Sequence, residues 1–189
     1  MANVSENLLV RGARGNVGKQ FVYRKHGDKT TIARMPSVNK DAVPSEKQSK
    51  IRELFSEAAD YARSVMSSPD LKKEYEKKVT PGKTAYNLAC RDYFKAPVVK
   101  KIDLSKYTGS TGSVILIKAK DDFRVAEVKV SVHSAAGVLV EEGNALLDPI
   151  NRNLWNYTAS QANTILTGSV IRATARDLPG NSGSLEITV

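Results

Sequence analysis

Apolar residues that follow position 45 recur at the three- and four-residue spacing of an amphipathic helix. Ser45 and Gln48 have the spacing of a capping box, so we expect a long helix to begin at this point. Its predicted apolar stripe consists of Ile51, Leu54, Phe55, Ala58, Ala59, Ala62, Val65 and Met66. Ser68-Pro69-Asp70 ends this helix and starts a second one, since proline at the first helical position forfeits no hydrogen bond. A third helix is predicted to begin at Thr80-Pro81 and to end at Pro97.

The pattern changes after Ile102 to short segments that alternate between apolar and polar residues, with turn residues between them. Val128, Val130 and Val132 alternate with polar neighbours, which is typical of a strand with one wet face. Trp155 and Tyr157 are the largest side chains available to fill a core. Six strands are predicted, over Val114–Lys120, Val125–His133, Val138–Glu142, Leu154–Ala159, Ser169–Asp177 and Leu185–Val189. Short strands with frequent turns favour a β-sandwich.

The first 44 residues predict a Gly-rich basic arm and one β-hairpin. The predicted strands run from Lys19 to Lys25 and from Thr30 to Met35, with a turn over His26–Lys29 and a polar linker over Pro36–Pro44. An isolated two-stranded hairpin is marginally stable in water, so we expect it to dock on another surface. The predicted fold class is α+β, with a basic arm and hairpin over 1–44, a helical region over 45–97 and a β-sandwich over 102–189.

Charge is distributed unevenly along the 189 residues. Residues 1–101 contain 21 Lys and Arg against 11 Asp and Glu, and residues 102–189 contain 8 against 9, which together give the net charge of +9. The N-terminal half is therefore suited to an acidic partner. The candidate contact residues for assembly or for a polyanion are Arg11, Arg14, Lys19, Phe21, Tyr23, Arg24, Lys25, Lys29 and Arg34.

Catalytic and cofactor motifs are incomplete in this sequence. Gly12, Gly15 and Gly18 lack the Gly-x-Gly-x-x-Gly spacing of a dinucleotide site, and Gly82-Lys83-Thr84 lacks the first glycine of a phosphate-binding loop. His26 and His133 have no metal ligands at suitable spacing. We therefore expect no enzymatic activity and no cofactor.

The sequence suggests one candidate metal site, which three carboxylates would form. Asp121, Asp122 and Asp177 each lie at a predicted strand end and could meet at one pole of the sandwich, where they would suit Ca²⁺. The alternative is that Asp177 caps its own turn over Leu178-Pro179-Gly180.

The N-terminus has no secretory signal, and no apolar run approaches the length of a membrane span. The expectation is a soluble protein that is either cytoplasmic or part of a released particle. Its single Cys90 excludes an internal disulfide.

Two resemblances refine these expectations. Ala119-Lys120-Asp121-Asp122-Phe123, Trp155-Asn156-Tyr157 and the turn in residues 173–181 (Ala-Thr-Ala-Arg-Asp-Leu-Pro-Gly-Asn) resemble bacterial immunoglobulin-like domains. That resemblance implies a sandwich used as a spacer, adhesion or assembly module. Phe21-Val22-Tyr23-Arg24-Lys25 and Pro44-Ser45-Glu46-Lys47-Gln48 resemble uncharacterised Bacteroidota protein families, from which no functional residue transfers.

The sequence thus predicts a non-enzymatic structural subunit that assembles with copies of itself or docks on a larger particle, such as a filament, a surface assembly or a phage component. Its N-terminal arm is the predicted connector, because an exposed strand pair is a template for pairing with another chain. The alternative is a nucleic-acid-binding protein that uses the same basic residues for phosphates and the aromatic rings for stacking.

Overall fold

The computed structural model describes residues 1–37 and 41–189. Within these residues the protein is mixed α+β and mostly β, with three helices and three antiparallel sheets of four strands each. The predicted linker over Pro36–Pro44 includes residues 38–40, which lie outside the described residues. The helices are α1 Glu46–Ser67, α2 Pro69–Glu76 and α3 Ala85–Tyr93.

The strands of the N-terminal sheet are β1 Ala2–Asn3, β2 Gly15–Val17, β3 Phe21–His26 and β4 Lys29–Arg34. Those of the C-terminal sheets are β5 Val98–Asp103, β6 Val114–Lys120, β7 Val125–His133, β8 Leu139–Asn144, β9 Leu146–Leu147, β10 Leu154–Thr158, β11 Val170–Asp177 and β12 Ser182–Thr188.

The described chain divides into two compact units. The first contains Met1–Phe55 and Thr80–Thr84, and the second contains Ser56–Val79 and Ala85–Val189. The second unit therefore holds most of the helical residues together with both C-terminal sheets. The boundary predicted between residues 97 and 102 lies inside this unit, which contains Ala85–Val189, and β5 begins directly after Pro97.

The predicted hairpin is present in the first unit as β3 and β4. Its turn is shorter than predicted, because Gly27 adopts a φ of +58° and lets Gly27 and Asp28 alone connect the strands. The sheet is also wider than a hairpin. β1 pairs with β4 and β2 pairs with β3, which gives the order β1-β4-β3-β2.

The long helix α1 begins with the predicted capping box. The Gln48 amide donates to Ser45 Oγ at 3.3 Å, and the Ser45 amide donates to Gln48 Oε1 at 3.0 Å. The third helix begins at Ala85 and not at Thr80-Pro81. Residues 80–84 form a turn instead, which the Lys83 amide closes by donating to the Thr80 carbonyl at 3.1 Å.

Only the C-terminal part of the predicted apolar stripe on α1 is buried. Ala58, Ala62 and Val65 are buried, but Leu54 is 43% exposed and Phe55 is 59% exposed. The stripe divides because residues from Ser56 onward belong to the second unit, whose core includes Tyr75 and Ala89. Ile51, Leu54 and Phe55 belong to the first unit, which buries almost nothing.

This division changes the expected response of α1 to charge. Ala62→Asp should lower the free energy of unfolding by about 3 kcal/mol or more, because it leaves an uncompensated charge in the core. Phe55→Asp should change it by less than about 1 kcal/mol, because the ring is half exposed. Urea denaturation followed by circular dichroism measures both effects. Equal losses would show that residues 51–55 are buried like residues 58–65.

The two C-terminal sheets share one hydrophobic core. Their strand orders are β5-β6-β10-β9 and β12-β11-β7-β8. The predicted inward positions are confirmed, since Val128, Val130 and Val132 are fully buried and Trp155 and Tyr157 are nearly so. Two strands were not predicted. β5 begins four residues before the predicted sandwich boundary, and β9 has only two residues.

A second hydrophobic cluster joins the helices to the loops at one end of these sheets. Phe123, which precedes β7, stacks on Tyr75 of α2 with the ring centroids 3.8 Å apart and the planes 4° from parallel. Ala62, Val65, Ala85 and Ala89 complete the set of buried residues in this cluster, and Leu178 packs against it. Asp122 forms ion pairs with Arg91 and Lys95, each at 2.6 Å. The part of α1 that follows Phe55, together with α2 and α3, therefore belongs to the C-terminal unit.

Candidate functional site

The basic residues of the N-terminal sheet lie on two faces. Successive side chains of a strand alternate between faces, and residues paired across strands share a face. Arg24 pairs with Thr31, and Lys29 pairs with His26, which places both cations on one face. Lys25 pairs with Thr30, and Arg34 pairs with Phe21, which places these two on the other. Arg11, Arg14 and Lys19 lie outside the strands, in the segments that flank β2.

The face that carries Lys25 and Arg34 also carries most of the large apolar residues of this sheet, and Val22 lies on the other face. Val17 pairs with Phe21, and Tyr23 pairs with Ile32, so these four side chains form one patch. Val17 is 55% exposed and Phe21 is 46% exposed. A cavity of about 770 Å³ adjoins Phe21 and is lined also by Lys19, Arg34 and Met35. We call this set of Val17, Phe21, Tyr23 and Ile32 the apolar patch.

The first unit has almost no core. Among residues 1–37 and 41–55, only Thr30 is buried. The Thr30 amide donates to Ser5 Oγ at 2.8 Å, and the Val4 amide donates to the Thr30 carbonyl at 2.8 Å, so backbone and hydroxyl contacts hold β1 to β4. A sheet held mainly by hydrogen bonds, with apolar side chains open to water, is suited to contact with another surface.

The three carboxylates of the calcium hypothesis have other partners. Asp121 Oδ2 accepts from the Phe123 amide at 2.9 Å, while its buried Oδ1 has no hydrogen-bond partner among the described residues. Asp122 is paired with Arg91 and Lys95. Asp177 Oδ1 accepts from the amides of Gly180 at 2.8 Å and Asn181 at 2.6 Å, which is the turn-capping role that the sequence offered as the alternative. In the described part of the chain, no three His, Cys, Asp or Glu side chains are grouped to hold a metal ion.

The sequence did not predict a buried carboxyl group at the end of α3. Asp92 is only 2% exposed, and its Oδ2 accepts from the Tyr75 hydroxyl at 2.6 Å. The Tyr75 hydroxyl lies 2.9 Å from that of Tyr61, so the three side chains connect the three helices. Asp92 Oδ1 has no hydrogen-bond partner among the described residues. Nothing in the sequence indicated that Asp92 is buried. Asp92 and Tyr93 are neighbours on the helix, and helical spacing alone does not show which of the two faces the core.

Burial controls the protonation of this group. Desolvation, together with the neighbouring charges of Asp121 and Asp177, raises the pKa of Asp92 to about 7, against the lowering effect of the Tyr75 hydrogen bond. Desolvation also raises the pKa of Asp177. Burial and the hydrogen bond to Asp92 raise the pKa of Tyr75 far above its ordinary range, so its hydroxyl stays protonated. The hydrogen bond from Tyr75 to Asp92 therefore links two of the helices, and the protonation state of its acceptor, Asp92, can change with pH.

A second buried carboxylate, Glu141, has a structural role in β8. Its Oε2 accepts from the Tyr157 hydroxyl at 3.0 Å, the Ser160 amide at 2.8 Å and the Gln161 amide at 3.2 Å. These bonds tie the segment after β10 to the opposite sheet, since β8 and β10 belong to different sheets.

Comparison with known proteins gives only distant similarities. No protein-family model and no curated protein sequence matches the chain. A solved tetra-tandem repeat from the extending region of a large adhesion protein matches 49% of this chain and 23% of its own, with 18% identity and a TM-score of 0.34. The catalytic module of the glycogen-degrading pneumococcal virulence factor SpuA matches 43% of this chain and 11% of its own, with 15% identity and a TM-score of 0.31.

The chain thus spans less than a quarter of each of these solved chains. At these TM-scores neither similarity assigns a fold or a function. None of the helices in residues 1–37 and 41–189 is long and apolar enough to cross a membrane. On its fold alone, the protein belongs to the mixed α+β class and consists mostly of β-strands.

Proposed function

We propose that this protein is a non-enzymatic structural subunit that assembles with copies of itself or with a larger particle through its N-terminal sheet. The observation that carries the proposal is the combination of an exposed apolar patch with a unit in which, among the described residues, only Thr30 is buried. A surface of this kind gains free energy when a partner covers it, at roughly 25 cal/mol for each Å² of apolar area removed from water.

The C-terminal unit serves in this proposal as an immunoglobulin-like module. Its strand orders support the assignment. If β5 to β12 are lettered in chain order as A, B, C, C′, D, E, F and G, the sheets become A-B-E-D and G-F-C-C′. Immunoglobulin-like sandwiches have the A-B-E-D order in one sheet and place G, F and C together in the other. Such modules commonly act as rigid spacers or contact domains, and the fold alone does not supply a chemistry.

Deletion of residues 1–35 is the first test of assembly. The truncated chain should remain folded, because the second unit contains its own hydrophobic clusters. It should be a monomer by light scattering after gel filtration, whereas the full chain should increase in mass with concentration. If the truncated chain forms the same oligomer as the full chain, the N-terminal sheet is not the connector.

Single substitutions on the two faces of the sheet give a sharper test. Phe21→Glu places a charge in the apolar patch and should abolish the oligomer, whereas Arg24→Glu lies on the opposite face and should preserve it. Both residues are exposed, so both variants should keep the circular dichroism spectrum of the parent.

The same variants address nucleic-acid binding. A full chain that is monomeric at every concentration, and that binds DNA or RNA with an affinity falling steeply as salt rises, would replace the assembly proposal with the nucleic-acid alternative. In that case Arg24→Glu should weaken binding more than Phe21→Glu, because a phosphate contact depends on the cation.

A further inference from the structure

A groove of about 860 Å³ lies in the C-terminal unit. Residues from four segments line it: the end of α2 and the residues after it, the segment before β7, strand β9, and the start of β10. Its apolar lining includes Phe123, Val125, Leu146, Leu147 and Trp155. Its volume is within the range of about 300–1,000 Å³ that is typical of ligand sites.

The indole N–H group of Trp155 lacks a hydrogen-bond acceptor. Trp155 is 5% exposed, and its Nε1 is a buried donor with no partner in the described part of the chain. A buried N–H group normally has a partner, because leaving it unsatisfied costs about 1–3 kcal/mol. Because Nε1 has almost no accessible surface, a ligand oxygen would reach it only if the side chains around the indole shift on binding.

The charge of the groove indicates an acidic ligand. Lys77, Lys78, Arg124 and Arg152 line it, against Glu74 and Asp121. Arg124 is engaged by Glu74 at 3.2 Å, and Lys78 donates to the Phe123 carbonyl. Lys77 and Arg152 form no ion pair with any residue that the structure describes, so both are available to carboxylates of a partner.

One of the strands that line the groove, β9, has an open edge. β9 is the outermost strand of its sheet, where Leu146 pairs with Asn156 and Leu147 with Trp155. Its other edge has no strand partner within the described chain. An outer strand presents unpaired backbone groups that an extended peptide can use.

We propose that this groove binds an extended acidic peptide segment of a partner protein, with aliphatic side chains against Trp155 and carboxylates at Lys77 and Arg152. A peptide fits these features better than an amphiphile with one head group, because the two free cations lie on different segments and can each bind a separate carboxylate. The site is distinct from the N-terminal sheet and does not depend on the assembly proposal.

Trp155 is the only tryptophan of the chain and reports directly on the groove. The full chain is titrated with a blocked hexapeptide that alternates Leu and Glu, and its tryptophan emission is recorded. We expect a saturable change with this peptide and little change with the matched peptide that alternates Leu and Gln. An equal response to both peptides would overturn the proposal, because the cations would then not contribute.

Charge reversal locates the binding site. Lys77→Glu and Arg152→Glu should each weaken binding of the acidic peptide by roughly fivefold, the upper range for one exposed ion pair. Lys106→Glu is the matched control, because Lys106 is exposed and does not line the groove, and it should leave the affinity unchanged. Equal losses in all three variants would indicate general attraction to a basic protein and would contradict the proposed site.

Two further measurements test the ligand class. Trp155→Phe keeps an aromatic side chain but removes the N–H donor, so calorimetry should show weaker binding of the acidic peptide. Dodecanoate should bind more weakly than the peptide to the unchanged chain. Tighter binding of dodecanoate, with a loss in Lys77→Glu, would overturn the peptide in favour of a single-headed amphiphile.

Discussion

Gly183→Ala should lower the free energy of unfolding by about 3 kcal/mol. Gly183 lies in β12, where a Cβ atom would overlap the carbonyl oxygen of Pro97, directly before β5, and would come within 3.1 Å of its carbonyl carbon. The obstructing atoms belong to the backbone and cannot rotate away. The side chain of Pro97 is itself fully buried, so β5 has little freedom to move outward. Urea denaturation of the C-terminal unit measures the change.

Whether Gly183→Ala lowers or raises stability shows whether packing or backbone conformation dominates at this position. Gly183 does not have a positive φ, so alanine is compatible with its backbone. In such a position Gly→Ala normally stabilises a protein slightly, because it reduces the freedom of the unfolded chain. Ser184→Ala, at the exposed neighbouring position, is the control and should change stability by less than about 0.5 kcal/mol. Unchanged or increased stability in Gly183→Ala would mean that β5 and β12 are not in close contact.

The central C-terminal strands β6, β7, β10 and β11 were predictable because buried side chains alternate along them with less buried ones. In β7 the side chains of Val128, Val130 and Val132 are fully buried, whereas Glu127 and Lys129 are exposed. This alternation has a period of two, and a turn-rich segment separates each strand from the next. β6 and β7 accordingly have the predicted bounds, Val114–Lys120 and Val125–His133.

β5 and β9 lacked that signal for two different reasons. β5 reads Val-Val-Lys-Lys-Ile-Asp, and its pairing with β6 shifts by one residue between Val99 and Lys101, so its inward residues do not follow strict alternation. β9 has only two residues, both exposed leucines, and two residues cannot display a period. The groove beside Trp155 was not predictable either, because it depends on β9 and on the position of α2.

The helical stripe shows the limit of periodicity as evidence for burial. Spacing correctly predicted a helix from Ser45, and it correctly placed Ala58, Ala62 and Val65 on the inner face. The same spacing extends to Ile51 and Phe55, which are more than half exposed. An apolar face indicates that a helix has a surface to cover, and only tertiary structure shows what covers it. In our proposal, a partner covers such surfaces of the N-terminal unit.

The buried Asp92 makes stability depend on pH in a defined direction. The residue faces the Tyr75 hydroxyl of α2, the Asn181 side chain at its carbonyl oxygen, and the charges of Asp121, Asp177 and Lys78. Its folded pKa of about 7 lies above its ordinary value of 3.8. The folded state therefore binds more protons than the unfolded state between these two values. The stability contributed by protonated Asp92 is complete below pH 3.8 and is lost as pH rises through about 7.

Asp92→Asn should therefore gain stability relative to the unchanged chain as pH rises from 5 to 8. Asparagine stays neutral and can still accept from the Tyr75 hydroxyl, so the variant avoids the cost of a buried charge at high pH. The relative gain over this range should be about 2 to 3 kcal/mol, because about two units of the pKa difference lie above pH 5 and each unit is worth about 1.4 kcal/mol. Urea denaturation of both chains at several pH values measures it, and comparing the two cancels the contributions of other carboxylates. The exposed Asp60→Asn is the control and should follow the unchanged chain at every pH. Parallel curves for Asp92→Asn and the unchanged chain would show that Asp92 is already charged at pH 5 in the folded protein.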